Sequence, residues 1–83
     1  MYYVYAVYNK KNSKIYIGQT EDLDIRIKLH NKREFKNSYT SRFDGEWLLI
    51  YKEECENRHR ALIREKQLKS QKGREYIKKY IPL

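Results

Sequence analysis

Eighty-three residues, 40% of them hydrophobic and 14% aromatic, make one domain with a thin core, and this content excludes both a two-domain chain and an unstructured one. No run approaches the roughly 20 apolar residues of a membrane span, the N-terminus enters a strand pattern directly, and a lone Cys55 excludes an internal disulfide; a cytoplasmic, non-membrane protein is expected. The net charge of +8 is one-sided: residues 57 to 83 hold nine Lys/Arg against two acids, the preceding 56 hold ten against nine, and such a field attracts polyanions, nucleic acid foremost, unless it is only a solvated helix face.

From Tyr2 to Tyr8 every residue is aromatic or small and apolar, which predicts a strand. The polar cluster Asn9 to Ser13 is a turn, and Lys14-Ile15-Tyr16-Ile17-Gly18 resumes the strand pattern to close a hairpin. With period 2, Tyr3 and Tyr5 share one face, as do Lys14, Tyr16 and Gly18, so two phenols converge if the register joins those faces. Residues 20 to 31 alternate like a strand through Leu23, Ile25, Ile27 and Leu29, yet Thr20 suits an N-cap and Glu21 and Asp22 suit a first helical turn. A helix is expected, with Asp22, Arg26 and His30 along one line.

Residues 32 to 45 are polar and include Asp44-Gly45, a long connection; Trp47 to Tyr51 is the third strand. Asn57 is a candidate N-cap for a helix carrying Ala61, Leu62, Glu65 and Leu68 on one arc, which turns a carboxylate toward the core side. Gly73 suits a helix stop, and Arg74 to Tyr80 a short last helix before Pro82. The expectation for residues 1–83 is one α+β domain, a small three-stranded antiparallel sheet flanked by helices in the order ββαβαα.

Tyr3-Val4-Tyr5, Tyr16-Ile17-Gly18, Arg26 ten residues after Tyr16 with His30 and Asn31 following, and the late helical Glu65 together resemble the GIY-YIG nuclease domain over nearly the whole chain. The small single-domain, excision-repair nuclease N-terminal-like members are the nearest in pattern. The second tripeptide matches literally; in the first, Tyr-Val-Tyr replaces Gly-Ile-Tyr and only Tyr5 carries over. The resemblance implies the same ββαβαα fold and a metal-dependent site that hydrolyses DNA phosphodiesters, with roles for Tyr5, Tyr16, Arg26, His30 and Glu65.

Each role has a chemical rationale and a plainer rival. Phosphodiester hydrolysis needs a water that can lose a proton and positive charge on the reacting oxygens. Glu65 suits the ligand of a single Mg²⁺ or Mn²⁺, because Mg²⁺ is commonly held by one or two carboxylates with water and phosphate completing the shell; the rival is a surface glutamate paired with Lys69, Arg58 or Arg64. Arg26 offers a planar fork of donors to the scissile phosphate, against an Asp22–Arg26 helix pair. The resemblance gives Tyr16 the task of orienting or deprotonating the attacking water, with Arg26 or Lys14 to favour its phenolate, and Tyr5 that of positioning phosphate or water.

The resemblance also makes His30 an auxiliary base or phosphate ligand, while His59 reads as a first-turn helix residue. Tyr2, Tyr8, Tyr39, Tyr51, Tyr76 and Tyr80 read as packing. Gly18 gives backbone room beside the phosphate or marks a strand-end bulge. Lys14, Gly18, Arg58, Lys66, Lys69, Lys72 and Arg74 are the candidate nucleic-acid contacts. The chain has no asparagine after Asn57, where several family members carry one in or near the site; a lysine such as Lys69 is the candidate replacement.

The expected partner is DNA, with RNA as the alternative, read with little sequence preference and with a partner protein supplying target choice. The competing functions are a catalytically impaired nucleic-acid-binding module of the same fold and a subunit of a larger repair nuclease.

Overall fold

A computed structural model describes residues 1–32 and 42–82. The hairpin forms as expected, from β1 (Tyr2–Asn9) and β2 (Lys14–Thr20). Its turn places Ser13 at φ 54°, and the buried Asn9 braces it: the Asn9 Oδ1 accepts from the Asn12 backbone N–H at 3.0 Å and its Nδ2 donates to the Asp44 carbonyl at 2.8 Å. The connection expected over 32 to 45 lies mostly outside the described residues, as does Tyr39.

The third strand, β3 (Trp47–Cys55), runs antiparallel to β1 on the side away from β2, giving the sheet order β2-β1-β3. It extends four residues beyond the expected Tyr51. The extra residues are Lys-Glu-Glu-Cys, a charged sequence with low strand propensity, and they stay in the sheet because Tyr2 to Tyr5 pair with them. Ala6 pairs with Tyr51 and Val7 with Leu49, so Ile50 is one extra residue, a bulge on this edge strand.

The helix after β2 is α1 (Leu23–Lys32), so the alternating apolar residues belong to a helix. Its cap is Asp22, whose Oδ1 accepts from the Ile25 N–H at 3.1 Å; the expected cap, Thr20, is the buried last residue of β2 and makes a tight turn with the Asp22 backbone. Asn57 caps α2 (Arg58–Leu68) through the Arg60 N–H at 2.9 Å, as expected.

Gly73 is not a helix stop. The chain turns at Lys69, Ser70 caps the next helix, α3 (Gln71–Lys78), and Gly73 lies in the first turn of that helix. A Cβ there would stand 2.4 Å from the Gln67 carbonyl oxygen and 2.5 Å from the Leu68 Cα, so the glycine is required by the close crossing of α3 over the end of α2.

The sheet separates two small cores. On one face Val4, Ala6 and Ile17 pack with Ala61, Leu68 and Ile77 from α2 and α3; on the other Tyr5, Val7 and Trp47 pack with Tyr16, Leu23, Ile27 and Phe43, α1 covering them. Leu62, expected on the apolar arc of α2, is instead exposed, as is Ile63. Tyr51, Tyr76 and Tyr80 pack on one another with ring centroids 5.1 to 5.8 Å apart, the packing role expected of them.

Candidate active site

The hairpin register decides which side chains meet. Tyr5 pairs with Gly18 and Val7 with Tyr16, so the two phenols lie diagonally on the α1 face, their ring centroids 6.3 Å apart. Gly18 lies beneath both: a Cβ on it would stand 2.8 Å from the Tyr5 hydroxyl and 2.9 Å from the Tyr16 ring. The absence of a side chain at this strand-end glycine therefore lets two hydroxyl-bearing rings pack directly on the backbone.

α1 supplies the third ring. His30 lies 2% exposed, its Nε2 2.7 Å from the Tyr5 hydroxyl, with its ring 5.8 Å from that of Tyr5 and 5.1 Å from that of Tyr16. Burial, aided by the Arg26 guanidinium one turn away, lowers its pKa to about 4, so the imidazole is neutral at pH 7. Burial also raises the Tyr5 hydroxyl far above its usual value, reinforced by the Tyr16 and Glu65 charges and opposed by Arg26. A neutral phenol beside a neutral imidazole is thus the resting state. This pair, 25 residues apart, was not legible as a pair in the sequence.

Arg26 is half-buried and shares an open cleft of about 220 Å³ with Tyr2, Gln19, Thr20, Glu21 and Arg58. Two of the expected anion contacts, Arg26 and Arg58, therefore meet although they come from different helices. Tyr2, expected only to pack, lines the same cleft. Asn31, which follows His30, ties α1 to the sheet: its Oδ1 accepts from the Trp47 N–H at 2.7 Å and its Nδ2 donates to the Trp47 carbonyl at 3.2 Å.

Glu65 comes from the opposite face. α2 packs on the side of Val4 and Ala6, yet the Glu65 charge is felt at the Tyr5 hydroxyl and its helix neighbour Lys69 stands with Nζ 5.9 Å from the Tyr16 ring centroid. β2 is an edge strand, and past that edge the end of α2 comes within reach of Tyr16. The Lys69 Nζ donates to the Glu65 Oε2 at 2.8 Å, the plainer pairing foreseen for this glutamate, while Arg64 bonds Glu53 instead. The Glu65 side chain is 18% exposed against 42% for Lys69.

The remaining basic candidates divide. Arg74 donates from Nε to the Lys69 carbonyl at 3.1 Å and lines a cleft of about 260 Å³ with Ile15, Tyr16, Ile17 and Lys69. Lys66 borders the groove that holds Leu62, Glu65 and Lys69. Lys72 is exposed on α3. Lys14 shares the face of Tyr16, but its ammonium stands over Phe43 at 5.6 Å from the centroid; a cation that does stand beside the Tyr16 ring is Lys69.

Among the described residues no three His, Cys, Asp or Glu side chains gather into a ready-made metal site. The donor set nevertheless fits one hard divalent ion. Glu65 is a carboxylate that already holds a cation, the Lys69 ammonium, and a magnesium-type ion needs few protein ligands beside water and phosphate.

The GIY-YIG catalytic domain family matches residues 1–80. The chain belongs to the GIY-YIG family. A solution NMR structure of a UPF0213 protein from Bacillus halodurans is similar to it at 30% identity and a TM-score of 0.54, over 93% of this chain and 82% of that one. No curated protein matches. A GIY-YIG domain carries a nuclease-like function and, with it, contact with nucleic acid. No described helix is long and apolar enough to cross a membrane.

Proposed function

We propose that this GIY-YIG chain is a divalent-metal-dependent endonuclease that hydrolyses DNA with little sequence preference of its own. The observation that carries the reading is the ring cluster of Tyr5, Tyr16 and His30 over Gly18, with Arg26 one helical turn from His30 and Glu65 bonded to the Lys69 ammonium that stands beside the Tyr16 ring. Such a site joins a proton acceptor, an anion fork and a carboxylate on one edge of the sheet.

In this reading Glu65 holds one Mg²⁺ or Mn²⁺, which when bound supplies positive charge to the phosphate and the departing oxygen. Arg26 grips the scissile phosphate with a guanidinium that stays charged at every working pH. Tyr16 orients the attacking water and, once its hydroxyl has released its own proton to solvent, takes one from that water as the phenolate. Tyr5, its hydroxyl held protonated, is not a base, and its hydrogen bond with neutral His30 fixes its direction. In-line attack then leaves a 5′-phosphate, as the family pattern implies. Lys66, Lys69, Lys72, Arg58 and Arg74 hold the flanking backbone, so binding is salt-dependent and nearly blind to sequence.

Plasmid nicking with Mg²⁺ or Mn²⁺, comparing the wild type with Glu65→Ala and Arg26→Ala, tests it. Each variant is expected to lose about 10²-fold or more in rate with its fold intact. Equal cleavage by all three would mark the activity as a contaminant.

The second reading, a binding module of the same fold acting on DNA or RNA, rests on Tyr-Val-Tyr in the first motif and on Lys69 occupying Glu65. Salt-dependent binding without metal-dependent turnover identifies it. In either case a partner protein that recognises the target would supply the specificity, and the work would take place in the cytoplasm.

A further inference from the structure

We infer that Lys69 is an exchangeable counter-ion. It holds Glu65 when no metal is present, and on metal loading it is displaced to the nucleic-acid backbone in the cleft formed with Tyr16 and Arg74. The inference rests on the metal-dependent reading above and concerns how that site is loaded.

Three observations place Lys69 between two anion sites. Its ammonium lies 2.8 Å from the Glu65 Oε2, where it occupies an oxygen that a divalent ion would need. The same ammonium lies 5.9 Å from the centroid of the Tyr16 ring. Its backbone carbonyl is held by the Arg74 Nε at 3.1 Å, and Lys69, Arg74 and Tyr16 wall one open cleft of about 260 Å³.

A flexible four-carbon stem anchored in this way can redirect its charge between the carboxylate and the cleft without moving the helix. Two cations crowded on one carboxylate repel each other, so metal and ammonium compete for Glu65. Once released, the ammonium adds to the Arg74 charge and leaves the cleft more attractive to a phosphate. Metal and nucleic acid must then assist each other's binding to the same extent, with Lys69 as the coupling element.

Mn²⁺ titration of the free protein, followed by the paramagnetic signal of the unbound ion, separates this from a plain surface ion pair. Lys69→Met is expected to bind Mn²⁺ about two- to five-fold more tightly than the wild type, the range set by losing a partly exposed competing pair. Lys66→Met, which removes one positive charge from the same helix without freeing Glu65, is expected to change it by less than about 1.5-fold. A nicked duplex of about 20 base pairs is then titrated with and without Ca²⁺, used in place of Mn²⁺ so that nothing is cut, against the wild type and Lys69→Met, with Glu65→Gln as the control that has lost the metal ligand and is expected to show no tightening. Metal is expected to tighten duplex binding by the wild type and to lose most of that effect in Lys69→Met.

Unchanged or weaker Mn²⁺ binding by Lys69→Met overturns the inference, as does equal tightening in Lys66→Met or a wild type that binds no Mn²⁺. Absence of cleavage alongside the expected Mn²⁺ pattern would instead overturn the nuclease reading and leave the counter-ion exchange standing.

Discussion

The two faces of the sheet are built from different chemistry. Under α2 and α3 the fully buried side chains are aliphatic, Val4, Ala6, Ala61 and Ile77 among them, and the rings of Tyr51, Tyr76 and Tyr80 pack at the rim. Under α1 the buried layer is aromatic and polar: Tyr5, Trp47 and His30 are nearly inaccessible, and Asn31 and His30 fasten the helix by hydrogen bonds. Burying hydroxyl and imidazole groups gains less than burying methyl groups, and it repays the desolvation only while each group keeps its partner. Hence the first face supplies stability, and the second uses part of it to hold the Tyr5 hydroxyl and the His30 ring buried and neutral.

The largest expected effects come from breaking the aliphatic face. Leu68→Ala removes a side chain 2% exposed in the centre of that core and should lower the stability by about 2–5 kcal/mol, a large part of what a small domain has. Gly73→Ala should follow with about 1–3 kcal/mol or more, although alanine is the better helix former by about 1 kcal/mol, because the added methyl meets backbone atoms that cannot turn aside. Urea unfolding measures both. Neither change should alter the activity per folded molecule. A Gly73→Ala protein as stable as the wild type would show that α3 does not cross α2 so closely.

The polar face is exposed by pH. His30 titrates near 6.5 when unfolded and near 4 when folded, so between these values the unfolded chain carries the extra proton. Its stabilising contribution is complete above about pH 6.5 and falls as the pH drops toward 4, by roughly 3 kcal/mol. Urea midpoints from pH 7 to 4 should show this decline, and His30→Asn, less stable at pH 7, should show a flatter one. An equal slope in both proteins would place the titrating group elsewhere. Tyr5→Phe should cost about 1–3 kcal/mol, since it leaves the buried His30 Nε2 without its hydroxyl partner.

The same division governs how much could be read in advance. Strand pairing, element order and the convergence of Tyr5 and Tyr16 were legible, since period 2 and a polar turn fix a hairpin's faces. The role of Gly73 was not. A glycine between two helical patterns reads as a stop, and only the backbone of Gln67 and Leu68 reveals that it is a crossing point. The length of β3 was hidden for the opposite reason, because pairing with β1 overrode the poor strand propensity of Lys52, Glu53 and Glu54. Motif spacing named Glu65 as a site residue, but the face it approaches from follows from β2 being an edge. The Tyr5–His30 bond joins residues 25 apart, and no local pattern encodes it.

The smallest expected effect concerns how the two faces are kept in alignment. Asn31 makes two hydrogen bonds to the backbone of Trp47, the first residue of β3, and is the clamp between α1 and the sheet near the end of the helix that carries Arg26 and His30. Asn31→Ala should reduce the stability by only about 0.5–1.5 kcal/mol. Its effect on cleavage should exceed that figure, since a misplacement near 1 Å of catalytic groups can cost about 10²-fold in rate. Asn31→Asp keeps the acceptor for the Trp47 N–H and loses the donor to its carbonyl, so it should fall between the two. If both variants lose activity only in proportion to their loss of folded protein, then packing by Leu23 and Ile27 suffices to seat α1, and the polar face needs no clamp.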